Sequence, residues 1–109
     1  QRNAYAKCVY CGVSIARVGD VFDMNAAGTV QAYVNPHGVV HETLTVKCIL
    51  RQNVLLSGRP CEQDSWFPQY AWTILNCAEC YHHLGWRFTA TTQLNPKEFW
   101  GLRRASVMF

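Results

Sequence analysis

Four of the six cysteines stand in two Cys-x-x-Cys pairs, Cys8/Cys11 and Cys77/Cys80. Thiolates two residues apart can both reach one Zn²⁺ at a tetrahedral angle, and two such knuckles supply the four ligands of a closed structural site. The spacing therefore predicts one structural Zn²⁺ that ties the start of the chain to its latter half. Four sulfur ligands leave no position open for water or substrate, so the ion is expected to hold the fold and take no part in chemistry. Its contribution to folding is on the order of 10 kcal/mol. Disulfides are the alternative, but no secretory signal, transmembrane run or Asn-x-Ser/Thr site points to an oxidising compartment. His37 and His41 form a rival ligand pair with the spacing of half a zinc finger. They lie much farther from Cys8/Cys11 than the roughly 12 residues of that motif, and they would leave Cys77/Cys80 without a purpose.

The remaining thiols lack the surroundings of a nucleophile. Cys48 closes the alternating stretch Thr43–Lys47 and reads as a strand residue, whereas Cys61 follows Pro60 in a loop beside the acidic Glu62 and Asp64, which disfavour a thiolate. No Ser/His/Asp set, Gly-rich phosphate loop or carboxylate pair stands out, so a binding module is expected and not an enzyme. The second group that could do chemistry is aromatic: Trp66, Trp72, Trp86 and Phe88. In an extended 86–91 segment Trp86 and Phe88 share one face while Arg87 and Thr89 take the other. Trp72 lies in another alternating run and Trp66 precedes a proline turn, so strand pairing could gather three indoles and a phenyl around one space. Such a space suits a flat, weakly polar ring or a quaternary cation. Aromatics at strand spacing more commonly pack as core, and the pattern by itself leaves that reading open. Only Glu62 and Asp64 offer carboxylates nearby for a cation. Asn35, His37 and His41 form a polar set around an Asn-Pro-His-Gly turn, where an ordinary turn asparagine and loop histidines are the plainer reading.

The elements that must position these groups are mostly strands. At 109 residues the chain reads as one domain, 1–109, and its lack of an initial Met suggests a piece of a longer protein. Charged residues make up 16% and the formal net charge is +3, with the basic residues scattered, which is not the footprint of a nucleic-acid binder. Period-two alternation places strands near Gln31–Val34, Val40–Cys48, Tyr70–Leu75, Trp86–Thr91 and Leu102–Met108. Turn signals fall at 35–38, 57–60 and 66–69, and Asn95-Pro96 opens a short helical turn over Lys97–Trp100. Arg103/Arg104 reads as the polar edge of the terminal strand. A mainly β, antiparallel fold is expected.

Five segments carry a resemblance: Ala-Tyr-Val-Asn-Pro-His-Gly (32–38), His-Glu-Thr-Leu-Thr-Val (41–46), Ser-Trp-Phe-Pro-Gln-Tyr-Ala-Trp-Thr (65–73), Leu-Gly-Trp-Arg-Phe-Thr-Ala-Thr (84–91) and Phe-Trp-Gly-Leu (99–102). Together with both knuckles they closely resemble the thalidomide-binding domain of the cereblon family, the CULT domain, over essentially the whole chain. The resemblance implies a β-tent fold, two antiparallel sheets pinned near their junction by the four-cysteine zinc. It also favours a cage over a core: Trp66, Trp72 and Trp86 would wall it and Phe88 floor it, around a glutarimide or similar cyclic imide. The imide's polar groups would find partners around 64–66, at Asp64, Ser65 and the backbone. Asn35, Pro36 and His37 would line the rim, with Asn35, His37, His41, Ile74 and Trp86 facing a protein docked over the ligand.

By the same resemblance the parent protein is a substrate receptor of a cullin-RING E3 ubiquitin ligase, held by its adaptor and located in cytoplasm and nucleus. It would read C-terminal cyclic imides that thalidomide-like drugs mimic, and neither nucleic acid nor membrane is an expected partner. Three residues depart from the family pattern. Asp64 stands where the best-known members have His, Gln69 where they have Gly, and Ile74 where some have Val. Gln69 is expected to strain a turn that favours positive φ. Imide binding is expected to survive these changes while drug-dependent partner recruitment weakens. Two further readings are a zinc-containing methionine sulfoxide reductase, which would need a late nucleophilic cysteine, and a methyl-ammonium cage.

Overall fold

A computed structural model describes residues 4–24 and 30–109. The chain is mainly β and forms two antiparallel sheets. The strands are β1 (Tyr5–Cys8), β2 (Ser14–Arg17), β3 (Val30–Val34), β4 (Val40–Val46), β5 (Val54–Cys61), β6 (Tyr70–Cys77), β7 (His83–Ala90), β8 (Glu98–Arg103) and β9 (Val107–Met108). The small sheet has the order β2-β1-β9 and the large one β3-β4-β8-β7-β6-β5.

Two buried clusters hold these sheets. One gathers Ile15, Leu75, Leu84, Leu102, Val107 and Trp100 around Cys8 and Cys77, so the sheets share a core beside the knuckles. The other is aromatic: Phe88 stacks on Phe99 at 4.9 Å, and Phe67 meets both edge-on at 4.9 Å. On the opposite face of β7 and β8, Glu98 accepts from Arg87 Nε at 2.7 Å and from Arg51 at 2.6 Å. Both guanidiniums lie over the buried Trp100 ring, at 5.1 and 5.7 Å from its centroid, which lets a charged layer cover an apolar one.

The expected strands at 31–34, 40–48, 70–75 and 86–91 exist, with shifted ends. The differences from expectation have physical causes. Residues 97–100 are not helical; 98–100 open β8, which is paired on both sides, Phe99 with Phe88 and Trp100 with Val46. Ladder hydrogen bonds from two neighbours outweigh the local helical bias after Asn95-Pro96. The stretch 102–108 is not one strand: a 3₁₀ turn at Arg104–Ser106 ends β8 and sends the chain into the small sheet as β9. Cys48 lies outside β4 and is exposed, because Lys47 N–H turns away to donate to Asp20 O at 2.8 Å. Cys61, expected in a loop, is the last residue of β5 and pairs with Trp72. β1, β2 and β5 were not expected. The first two are four residues each, too short to show a period, and β5 contains Ser57-Gly58-Arg59-Pro60, which reads as a turn. As an edge strand β5 absorbs Gly58 and Pro60 in a register break between Ser57 and Cys61.

The turn signalled at 66–69 forms one residue later, at 67–70, and shows its strain. Tyr70 N–H donates to Phe67 O at 3.0 Å, with Pro68 second and Gln69 third at φ 67°, the arrangement of a type II turn that favours glycine third. Gln69→Gly removes the left-handed Cβ penalty, so we expect a gain of about 1 kcal/mol and a rise in Tm of about 4–8 °C. Thermal melts read by circular dichroism check this; an unchanged or lower midpoint would contradict it.

Candidate metal centre and aromatic cavity

The four cysteines of the two pairs converge. Cys8 ends β1 and Cys77 ends β6, with Cys11 and Cys80 in the turns that follow. All four Sγ atoms lie within 4.8 Å of one another. Cys8–Cys80 and Cys11–Cys77 are each 3.6 Å apart, close to the roughly 3.8 Å edge of a tetrahedron drawn around an ion with 2.3 Å metal–sulfur bonds. The two turns share one backbone design. Gly12 N–H donates to Cys8 O at 2.8 Å and Tyr81 N–H to Cys77 O at 2.9 Å, and both Gly12 and Tyr81 have positive φ, 81° and 64°. Each knuckle thus turns tightly enough to aim both thiols at one point.

The charges point the same way. The His82 backbone N–H, with burial opposing it and the His82 imidazole helping, brings the Cys80 thiol down to about 6. The Val13 backbone hydrogen bond pulls Cys11 down, yet burial and the thiols of Cys77, Cys8 and Cys80 push it up to about 12. Four neighbouring thiols cannot all ionise unless a cation neutralises them. Geometry and donor chemistry both fit a metal ion.

The aromatic residues meet at the other end of β6 and β7. Register pairs Trp72 with Phe88 and Ile74 with Trp86, so two alternating positions on each strand present four side chains to one face. Trp66 stands just before the 67–70 turn and packs edge-on against Trp86, centroids 4.8 Å apart, while stacking on Tyr33 of β3 at 4.9 Å. Two indoles are tethered to loops: Trp66 Nε1–H donates to Val34 O at 3.1 Å and Trp72 Nε1–H to Gln63 O at 2.7 Å. Phe88 lies flat beneath because β8 carries Gly101 there; a Cβ on Gly101 would come within 2.9 Å of both Phe88 Cε2 and Thr43 Cγ2. The β3–β4 turn closes the rim. Asn35 Oδ1 accepts from the backbone N–H of His37 at 3.0 Å and of Val39 at 2.9 Å.

The result is a cavity of about 490 Å³, within the roughly 300–1,000 Å³ of small-molecule sites. Its lining contains Trp66, Trp72, Trp86, Phe88, Asn35, Pro36, His37, His41, Asp64, Ser65 and Ile74. Every residue singled out from sequence for the cage or its rim is therefore in one wall. Cys48 and Cys61 are not in it. One lining residue, His83, was not expected. Strict alternation puts positions 83 and 86 on opposite faces, but Leu75 pairs with Gly85 and Asn76 with His83, a bulge that inserts one extra residue in β7. Gly85 marks it: a Cβ there would sit 1.9 Å from Gly101 O. That glycine, three residues before Phe88, was the available signal. His83 donates from Nε2 to Gly85 O at 2.9 Å and meets Trp86 edge-on at 5.1 Å. His41 does so from the other side at 5.2 Å.

A family model described as "Yippee zinc-binding/DNA-binding /Mis18, centromere assembly" matches residues 4–109. The chain belongs to the Yippee-Mis18 family. Cereblon from Gallus gallus is 47% identical over 103 residues, 93% of this chain and 23% of that protein. Cereblon from Xenopus tropicalis is 46% identical over 92% of this chain and 22% of its own length, and that from Drosophila melanogaster 43% over 92% and 17%. The chain thus spans less than a quarter of the length of these curated relatives. The crystal structure of the Mis18 "Yippee-like" domain superposes with a TM-score of 0.65 at 9% identity, covering 98% of this chain and 94% of that one, so the Yippee-Mis18 likeness extends to the two-sheet fold.

Two outcomes are expected. Cys77→Ser, or chelation, removes a contribution on the order of 10 kcal/mol and unfolds the chain; circular dichroism with metal analysis checks it, one ion per chain being lost with the strand signal. Burial pushes His83 below the ordinary 6.5, Gly85 O opposing and Arg103 and His41 adding to it, and burial with Arg103 does the same to His41. Between the lowered folded values and 6.5 the unfolded chain binds more protons, so this stability is present above about pH 6.5 and is lost as pH falls through the folded values. His83→Gln should flatten that part of a stability–pH profile relative to the native chain.

Proposed function

We propose that this chain is a cereblon-type imide-recognition domain, the thalidomide-binding CULT domain, held by a structural zinc ion. The observation that carries the reading is that one cavity is lined by Trp66, Trp72, Trp86 and Phe88 together with Asp64 and Ser65. A glutarimide is neutral, with apolar ring faces that suit indole walls, and has two carbonyls and one N–H that must keep hydrogen bonds once desolvated. The 64–66 loop brings backbone and side-chain polar groups to one edge of the wall. Its shape is fixed locally, because Ser65 Oγ donates to Phe67 O at 3.0 Å and Trp72 holds Gln63.

In this reading the domain recognises and does not catalyse. A sulfoxide reductase would need a thiol at the cavity, and neither Cys48 nor Cys61 lines it. The four sulfur ligands fit a closed zinc site with a purely structural role. We further infer that the parent protein is a substrate receptor of a cullin-RING ubiquitin ligase in cytoplasm and nucleus, reading C-terminal cyclic imides on proteins. Asn35, His37, His41, Ile74 and Trp86 would meet a docked partner over the filled cavity. Ile74 is 36% exposed, so its extra methylene relative to Val is available to hinder some partners.

Intrinsic fluorescence of the metal-loaded chain titrated with a minimal glutarimide tests the reading. Saturation at micromolar ligand is expected, with Trp86→Ala weakening it at least about 30-fold, as loss of a buried aromatic anchor does. No response from folded, metal-replete protein would contradict the assignment.

A further inference from the structure

The cavity has a charge sign that its aromatic walls do not explain. Among the described residues that line it, Asp64 is the one carboxylate and there is neither Lys nor Arg. The two ion pairs of the described residues both involve Glu98, on the other face of the large sheet. Among the described residues Asp64 therefore has no salt-bridge partner, and it lines the same cavity as Trp66 and Trp72. It is also held in place. Its own backbone is left-handed, φ 62°, a conformation that Asp tolerates better than most residues. On one side Gln63 O is held by the Trp72 indole at 2.7 Å, and on the other Ser65 N–H donates to Glu62 O at 3.2 Å. A carboxylate lining a cage of indoles attracts a cation by direct charge, and the rings attract it as well. The same carboxylate repels an anion.

We propose that Asp64 makes the cavity selective for cyclic imides bearing a cationic group, an ammonium or guanidinium a few atoms from the ring, over neutral and anionic ones. On a protein, this favours C-terminal imides with a basic residue just before the ring. The inference rests on the imide reading and adds to it a specificity residue. Because Asp64 is exposed, the expected preference is modest, about 5-fold per unit of ligand charge, and shrinks with salt.

Three probes of one scaffold test it by calorimetry or fluorescence: glutarimides acylated at the 3-amino position with β-alanyl (cationic), acetyl (neutral) and succinyl (anionic) groups. The native chain should bind them in that order, with the spread falling between 20 and 300 mM salt. Asp64→Asn should bring the cation-to-neutral ratio to about one, and Asp64→Glu should keep it above one; taking the ratio cancels any general change in affinity. Equal binding of all three by the native chain, or an order that survives in Asp64→Asn, overturns the proposal. If the neutral probe binds neither form while a trimethyl-lysine peptide binds the native chain, the imide reading itself fails. The cage is then one for quaternary ammonium, and the proposal falls with it.

Discussion

The four-thiol cluster is the constraint on which the rest of the structure depends. The small sheet consists of two four-residue strands and one of two residues, too little to stand alone. It is held against the large sheet where Cys8 and Cys11 meet Cys77 and Cys80. A second tie acts at the same junction. Ser106 Oγ donates to His83 O at 2.9 Å, Arg103 reaches both, and Val9 N–H donates to Ser106 O at 2.9 Å. The second knuckle is also the connection between β6 and β7. Fixing it fixes where β7 starts, and therefore which β7 side chains face which β6 side chains.

That register carries the knuckle's influence to the cavity. From Cys77 back along β6 lie Ile74 and Trp72, and from Cys80 onward along β7 lie His83, Trp86 and Phe88. The bulge at Leu84–Gly85 adjusts the parity so that His83 and Trp86 can share a wall. Gly101 makes the floor possible by leaving room for Phe88, and Phe99 and Phe67 brace it from behind. The indole hydrogen bonds to Val34 O and Gln63 O then tie the loop between β5 and β6 to the end of β3 and to β6, forming one rim. A cavity whose walls are set by a four-thiol knuckle, a sheet register and two tethered indoles is formed before any ligand arrives, which lowers the ordering required on binding.

Much of this was legible in the residues because it depends on local rules. Two Cys-x-x-Cys pairs can close one site wherever the intervening chain goes. Alternation located the central strands and put Trp86 and Phe88 on one face, and the Asn35 turn shows itself in its four residues. What was hidden depends on partners distant in sequence. Phe99 and Trp100 are extended because β4 and β7 flank them, which nothing in residues 95–100 reveals. The break at Arg104–Ser106 is set by a carbonyl of His83, more than 20 residues earlier. Edge strand β5 looks like a turn because an edge tolerates Gly and Pro. His83 escaped notice since a one-residue bulge reverses the parity on which alternation relies, with Gly85 its only mark. The gathering of the cage from four segments came through the family resemblance, since strand spacing alone equally describes a core.

In the proposed function the walls formed by Trp66, Trp72 and Trp86 receive a cyclic imide. The most direct measurement is the indole N–H region of a nuclear magnetic resonance spectrum of the ¹⁵N-labelled, metal-loaded chain during titration with glutarimide. Its internal control is the fourth indole, Trp100, 1% exposed and on the opposite face. If imide enters the cage, the signals of Trp66, Trp72 and Trp86 move together to saturation while that of Trp100 stays in place. Three unmoved cage signals in folded protein, or a Trp100 shift as large as theirs, would contradict it.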